Sequence, residues 1–248
     1  MGILNVTPDS FSDGGLHNEP DKAIEHALKM EKDGADIIDI GGESTRPGYT
    51  QVDISEEIAR TVPVIEKLRA KTTIPISIDT TKPEVARAAL AAGADIVNSV
   101  SGINLTDDMT KVVKESGAVF VMTYEDCYVN QFGEALIAMS EKAVEAGIDP
   151  AKIIVDPGIG FGKSQEDNLC ILNMLPIITQ IGYPLLLGCS RKSVIGNVLG
   201  VAADERLPGT LVTTVLASLA GVGIIRVHDV KENVRALKML KAICTQET

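Results

Sequence analysis

A chain of 248 residues that is 45% hydrophobic is long enough to bury one large core or two small ones. Its formal net charge of −11 argues against nucleic acid or an anionic membrane surface as the main partner, and no apolar run approaches the roughly 18–20 residues that span a bilayer. Four cysteines, Cys127, Cys170, Cys189 and Cys244, lack Cys-x-x-Cys spacing and His partners, so they read as free thiols of a cytoplasmic protein.

Short apolar runs alternate with amphipathic segments along the whole chain. Residues 3–6 read as a strand that ends in a polar loop dense in Gly, Pro, Ser, Thr and Asp. A helix over 21–33 leads to a strand over 36–40 and a second polar loop through residue 48. Helices over 55–70 and 83–92 flank a strand over 75–79. Further strands are expected over 95–98, 118–122, 152–156, 184–188 and 224–227, with a closing helix over 230–243. Gly34, Gly93, Gly117 and Gly147 stand where helix ends need a residue tolerant of positive φ.

No linker divides the chain, so residues 1–248 are expected to form a single domain. Continuous apolar strands separated by helices imply a parallel sheet covered on its outer face. Eight such units in this length fit a (β/α)8 TIM barrel better than an open doubly wound sheet. In a barrel the loops after the strands share one face, where such enzymes do their chemistry. Polar residues gather there: Asn5, Asp39, Asp79, Asn98, Asp156, residues 190–192, Arg226 and His228.

Asp79 and Asp156 end apolar strands, and Asn98 ends another. A carboxylate in a barrel mouth accepts paired N–H bonds from an amino-heterocycle, and a neighbouring amide can donate and accept at once. Arg226 and His228 alternate about Val227, so period-two geometry points both the same way. An Arg–His pair near the last strand suits phosphate. Ser190, Arg191, Lys192 and Ser193 follow strand seven; two cations at a helix start are unfavourable, and an anionic ligand would supply a reason for them. The run of residues 156–164 mimics phosphate loops but has Pro157 where a P-loop needs Gly. It reads instead as a bend that lays Phe161 against a planar ligand. Asn5, Thr7, Asp9, Ser10, Asp13, Ser44, Thr45 and Arg46 are expected to close over that ligand from the two opening loops.

With those residues in view, the chain resembles dihydropteroate synthase, a pterin-binding (β/α)8 enzyme of folate biosynthesis. Seven ordered segments carry the likeness: residues 2–15, 39–48, 77–83, 94–102, 156–163, 190–196 and 225–230. The resemblance implies a transferase that condenses 6-hydroxymethyl-7,8-dihydropterin pyrophosphate with p-aminobenzoate. It implies that Asp79, Asn98, Asp156, Gly160, Lys192 and Arg226 bind the pterin, and that Lys192, Arg226, His228 and Asp79 are catalytic. Asn5, Arg226 and His228 would hold pyrophosphate, with Mg²⁺ on Asn5 and Asp13. Thr45, Arg46, Pro47, Phe161 and Ser193 would shape the p-aminobenzoate pocket, the site of sulfonamide action. A homodimer through outer helices is implied too.

The chain departs from the family pattern after strand five, where it reads Met122-Thr-Tyr-Glu-Asp-Cys127, and at Ser99, where Asp is usual. Met122 is still expected to wall the pterin. Two other readings share the pterin floor: a catalytically silent pterin-binding homologue, and a methyltetrahydrofolate-dependent corrinoid methyltransferase. Neither has a use for the clamp of Lys192, Arg226 and His228.

Overall fold

The structure, a computed structural model, describes residues 1–7, 19–43, 52–100, 106–126 and 132–245. Its strands are β1 (Gly2–Asn5), β2 (Ile38–Gly41), β3 (Ile76–Asp79), β4 (Ile96–Ser99), β5 (Val119–Thr123), β6 (Ile153–Asp156), β7 (Leu186–Leu187) and β8 (Ile224–Ile225). Strands β1 to β6 pair in parallel in chain order, and β7 pairs with β8. Single bridges, Val155 with Leu185 and Gly2 with Val227, join the two sheets. The Ile3 amide donates to the Val227 carbonyl at 3.0 Å, so the last strand meets the first and the cylinder closes. The expected (β/α)8 barrel is the fold.

Nine helices cover the outside among the described residues: α1 (Glu19–Lys32), α2 (Ile54–Arg69), α3 (Pro83–Ala91), α4 (Asp107–Ser116), α5 (Phe132–Glu145), α6 (Gln165–Ile178), α7 (Ser193–Leu199), α8 (Leu207–Ala220) and α9 (Val230–Cys244). The ninth is the short α7, which enters between β7 and α8. Gly34, Gly93, Gly117 and Gly147 have φ of 105°, 111°, 64° and 97°, the left-handed conformation that only glycine adopts freely at a helix end.

Strand alternation sorts side chains into two environments. Outward residues such as Ile38, Ile40, Ile76, Ile78, Phe120 and Val155 pack against helix residues in one large core. Burying each such side chain contributes on the order of 1.5–3 kcal/mol. Inward residues near the barrel floor form a smaller cluster of Met1, Ile96, Val121 and Leu186. Two residues further along several strands the interior turns polar or empty: Ile96 gives way to Asn98, Ile154 to Asp156 and Leu186 to Gly188. The site is therefore the upper layer of the barrel interior.

Met122 lies in the outward core, fully buried. The expectation that it walls the pterin is thus corrected: β5 presents Val121 and Thr123 to the interior, and period two turns Met122 towards the helices. Ser99, next to inward Asn98, is likewise fully buried and one position out of phase with the site.

Candidate active site

Arg226, just past β8, organises the upper interior. Its Nε donates to Asp39 Oδ2 at 2.6 Å and one Nη to Asp79 Oδ2 at 2.6 Å. Asn98 Nδ2 donates to the same Asp39 oxygen at 3.2 Å. Burial works against the charge on Arg226, but Asp39 and Asp79 outweigh it and raise the pKa further. Asp79 shows the opposite balance. Desolvation dominates, Arg226 partly offsets it and the charge of Asp39 adds to it, so its pKa rises to about 7. Asp39 Oδ1 has no hydrogen-bond partner among the described residues.

Asp156 ends β6 and is buried, and its Oδ1 accepts from the Gly158 amide at 2.7 Å. Burial raises its pKa, against the pull of Lys192. Lys192 Nζ donates to the Ile159 carbonyl at 2.5 Å and stands 4.5 Å from the Phe161 ring centre. Desolvation lowers the Lys192 pKa, with Asp156 opposing. A Cβ on Gly188 would lie 3.6 Å from Asp156 Oδ2, 3.9 Å from Lys192 Nζ and 4.0 Å from Arg226 Cδ. Three acids (Asp39, Asp79, Asp156) and two bases (Lys192, Arg226) thus line one space, which a glycine keeps open.

The loop after β6 bends through Gly158, Gly160 and Gly162, with φ of 70°, 84° and 62°. These alternating left-handed residues make the bend expected from the sequence, and they bring half-buried Phe161 to Lys192. Gly160 is exposed; a Cβ there would press to 3.3 Å from Lys192 Cδ.

His228 Nδ1 lies 3.0 Å from Ser190 Oγ, linking the ends of β8 and β7. Arg191 departs from expectation. It does not face the site as a second cation, because it pairs with Asp229 through Nε at 2.9 Å and Nη2 at 2.5 Å. The reason for a basic residue at this helix start is therefore a structural ion pair, and only Lys192 turns inward. Ser193, the first residue of α7, is exposed at the rim.

Thr7 ends the described part of the first loop, while Asp9, Ser10 and Asp13 lie outside the described residues, as do Ser44, Thr45, Arg46 and Pro47. The residues flanking the second loop are tied together: the Val52 amide donates to Glu43 Oε2 at 3.3 Å, and Lys82 pairs with Glu43 and with buried Glu57. Asn5 closes β1, its Oδ1 at 3.9 Å from where a Cβ on Gly41 would stand. That amide oxygen is a hard donor of the kind Mg²⁺ takes alongside substrate phosphates and water. Among the described residues no three His, Cys, Asp or Glu side chains are grouped to hold a metal.

Sequence reading gave two residues here no role. Asp39 was counted among the polar residues of the barrel mouth but assigned no ligand or partner, although its period-two relation to Gly41 turns it inward. Lys163, the last residue of the glycine loop, gave no signal of its own; its ammonium reaches three backbone carbonyls.

Comparison with known proteins identifies the family. The profile of the family described as pterin binding enzyme matches residues 1–228. A dihydropteroate synthase of Bacillus subtilis is 47% identical, over 98% of this chain and 87% of its own. A Xanthomonas albilineans dihydropteroate synthase solved with 4-aminobenzoic acid is 42% identical with a TM-score of 0.94, covering 100% of this chain and 93% of that one. The Xanthomonas albilineans enzyme in complex with 7,8-dihydropteroate is 40% identical at a TM-score of 0.92, covering 100% and 94%. This chain belongs to the family of pterin-binding enzymes.

Proposed function

We infer that this enzyme is a transferase that condenses 6-hydroxymethyl-7,8-dihydropterin pyrophosphate with p-aminobenzoate to give 7,8-dihydropteroate and pyrophosphate. The observation that carries the reading is the Arg226 guanidinium held between Asp39 and Asp79, facing Asp156 and Lys192 across the space left by Gly188. A plain pterin binder has use for the acidic groups and for Lys192 along the ring, but none for a pyrophosphate clamp of Arg226 with His228.

In this reading Asp79, Asn98 and Asp156 hold the pterin edge, while Lys192 and Gly160 lie along its ring. Arg226 and His228, with Asn5, receive the pyrophosphate. The C–O bond to pyrophosphate breaks and its electron pair leaves with the phosphate oxygen. The cationic methylene that remains faces the carboxylates of Asp79 and Asp156, a preorganised field for developing positive charge. The aniline nitrogen then forms the C–N bond and loses one proton. Phe161 and Ser193, with Thr45, Arg46 and Pro47, shape the p-aminobenzoate pocket. Mg²⁺ on Asn5 and Asp13 would neutralise charge on the leaving pyrophosphate.

We also read the protein as a cytoplasmic homodimer. No described helix is long and apolar enough to cross a membrane, and Cys170, Cys189 and Cys244 are free thiols. Helices α8 and α9 expose Val212, Leu216, Leu219, Met239 and Ile243, an apolar stripe suited to a second copy.

The activity is tested by pyrophosphate release from the dihydropterin pyrophosphate with Mg²⁺, with and without p-aminobenzoate. Release that needs p-aminobenzoate and vanishes in Arg226→Ala is the expected result. Pterin binding without release would instead leave a silent homologue.

A further inference from the structure

Lys163 Nζ donates to the carbonyls of Tyr124 at 2.7 Å, Gly158 at 3.1 Å and Phe161 at 3.1 Å. An ammonium has three N–H donors, and here each meets a backbone oxygen. The acceptors lie on two loops: Tyr124 just beyond β5, Gly158 and Phe161 beyond β6. Those loops touch backbone to backbone. A Cβ on Gly158 would stand 2.0 Å from the Tyr124 oxygen, and one on Gly162 2.8 Å from the Glu125 oxygen. The rings of Tyr124 and Phe132, edge to face at 5.1 Å, lie 5.5 and 6.0 Å from the same ammonium.

Lys192 grips the β6 loop as well, through the Ile159 carbonyl and the Phe161 ring. The loop therefore offers the carbonyls of 158 and 161 to one lysine and that of 159 to the other. Moving the first pair displaces the seat of the second lysine.

We propose that Lys163 is a positioning residue for the condensation, fixing Phe161 and the Ile159 carbonyl so that Lys192 and the p-aminobenzoate pocket hold one geometry. This rests on the activity and site proposed above. Lys163 touches no reacting atom; it acts through Phe161 and Lys192.

The charged groups facing Lys163 are Asp156 from β6, Glu125 and Asp126 from the loop after β5, and Lys192 from the loop after β7. Burial is the largest influence and lowers the Lys163 pKa to about 8, with Asp156 opposing. A neutral amine keeps two N–H donors, so loss of the proton leaves one of the three carbonyls without its donor. The loop is held by three bonds below that pKa and by two above it.

The test is initial rate against p-aminobenzoate at saturating dihydropterin pyrophosphate, from about pH 6.5 to about pH 9.5, in wild type and Lys163→Met. The wild-type KM for p-aminobenzoate is expected to rise about tenfold with a midpoint near the Lys163 pKa, as loss of a charge-assisted hydrogen bond predicts. Its kcat should change less than about threefold. Lys163→Met should show the raised KM already at the acid end and no further rise. A Lys163→Met KM for p-aminobenzoate equal to that of wild type at the acid end would overturn the proposal. A rise that persists at the same midpoint in Lys163→Met would overturn it as well. Absence of product from wild type at every pH would instead sink the activity on which the proposal rests, and the proposal with it.

Discussion

Arg226 Nε donates to the fully buried Asp39 at 2.6 Å, across 187 positions of sequence. The pair joins β8 to β2 through the barrel interior and holds the guanidinium where Asp79 also reaches it. Removing the charge of Asp39 frees one side of a buried cation. Asp39→Asn is expected to lower unfolding free energy by about 2 kcal/mol, read by urea titration. It should also lower kcat/KM, because Arg226 is then steered by Asp79 alone. Unchanged stability and activity together would mean that Asp39 is dispensable.

Asp79 gives the ligand-free enzyme a pH signature. Its folded pKa is raised to about 7 from an unfolded value near 3.9. Between about pH 4 and about pH 7 the folded state therefore holds a proton that the unfolded chain has lost, and stability falls as pH rises through that window. Asp79→Asn cannot titrate. Measured by thermal unfolding, wild type should lose stability relative to Asp79→Asn from the acid to the neutral end, then run parallel. Wild type gaining stability relative to Asp79→Asn across that window would contradict the sign.

Gly188 is the open floor between Asp156, Lys192 and Arg226. A methyl group there would make only ordinary van der Waals contacts, at 3.6 Å or more. Gly188→Ala should fold with a Tm within about 2 °C of wild type. Its side chain would occupy space assigned to the pterin and weaken pterin binding at least about tenfold, measured by calorimetry. Retained affinity would show that the ligand lies elsewhere.

Asn5 is assigned to Mg²⁺ by its amide oxygen and its place at the end of β1. Asn5→Ala should raise the Mg²⁺ concentration for half-maximal rate by about tenfold or more, with excess Mg²⁺ restoring rate. A metal requirement identical to wild type would remove Asn5 from the metal site.

Val212 and Leu219 are 69% and 63% exposed on α8. A double variant, Val212→Glu with Leu219→Glu, should sediment as a 26.3 kDa chain while wild type sediments at twice that mass. A wild type that sediments as a single chain would dismiss the dimer.

Much of the architecture was readable from the chain alone. Period-two and 3.6-residue patterns, with glycines at four helix ends, were enough for eight strand–helix units and the barrel. Asp79, Asn98, Asp156, Lys192 and Arg226 stood out because polar residues ending apolar strands must share one face. These are local facts, set by covalent neighbours and strand alternation.

Other features depended on distances through space. Arg191 and Lys192 are adjacent and equally basic, yet one pairs with Asp229 and the other turns to Ile159 and Phe161. Met122 looked like a pocket wall until the phase of β5 turned it outward. Lys163 gained its three carbonyls only when the β5 and β6 loops met glycine to backbone. Closing the cylinder brings β8 against β1 and sets Arg226 over Asp39. Periodicity assigns a side chain to a face, but which partner it meets there is decided by barrel closure and by the burial that makes an unpaired charge costly.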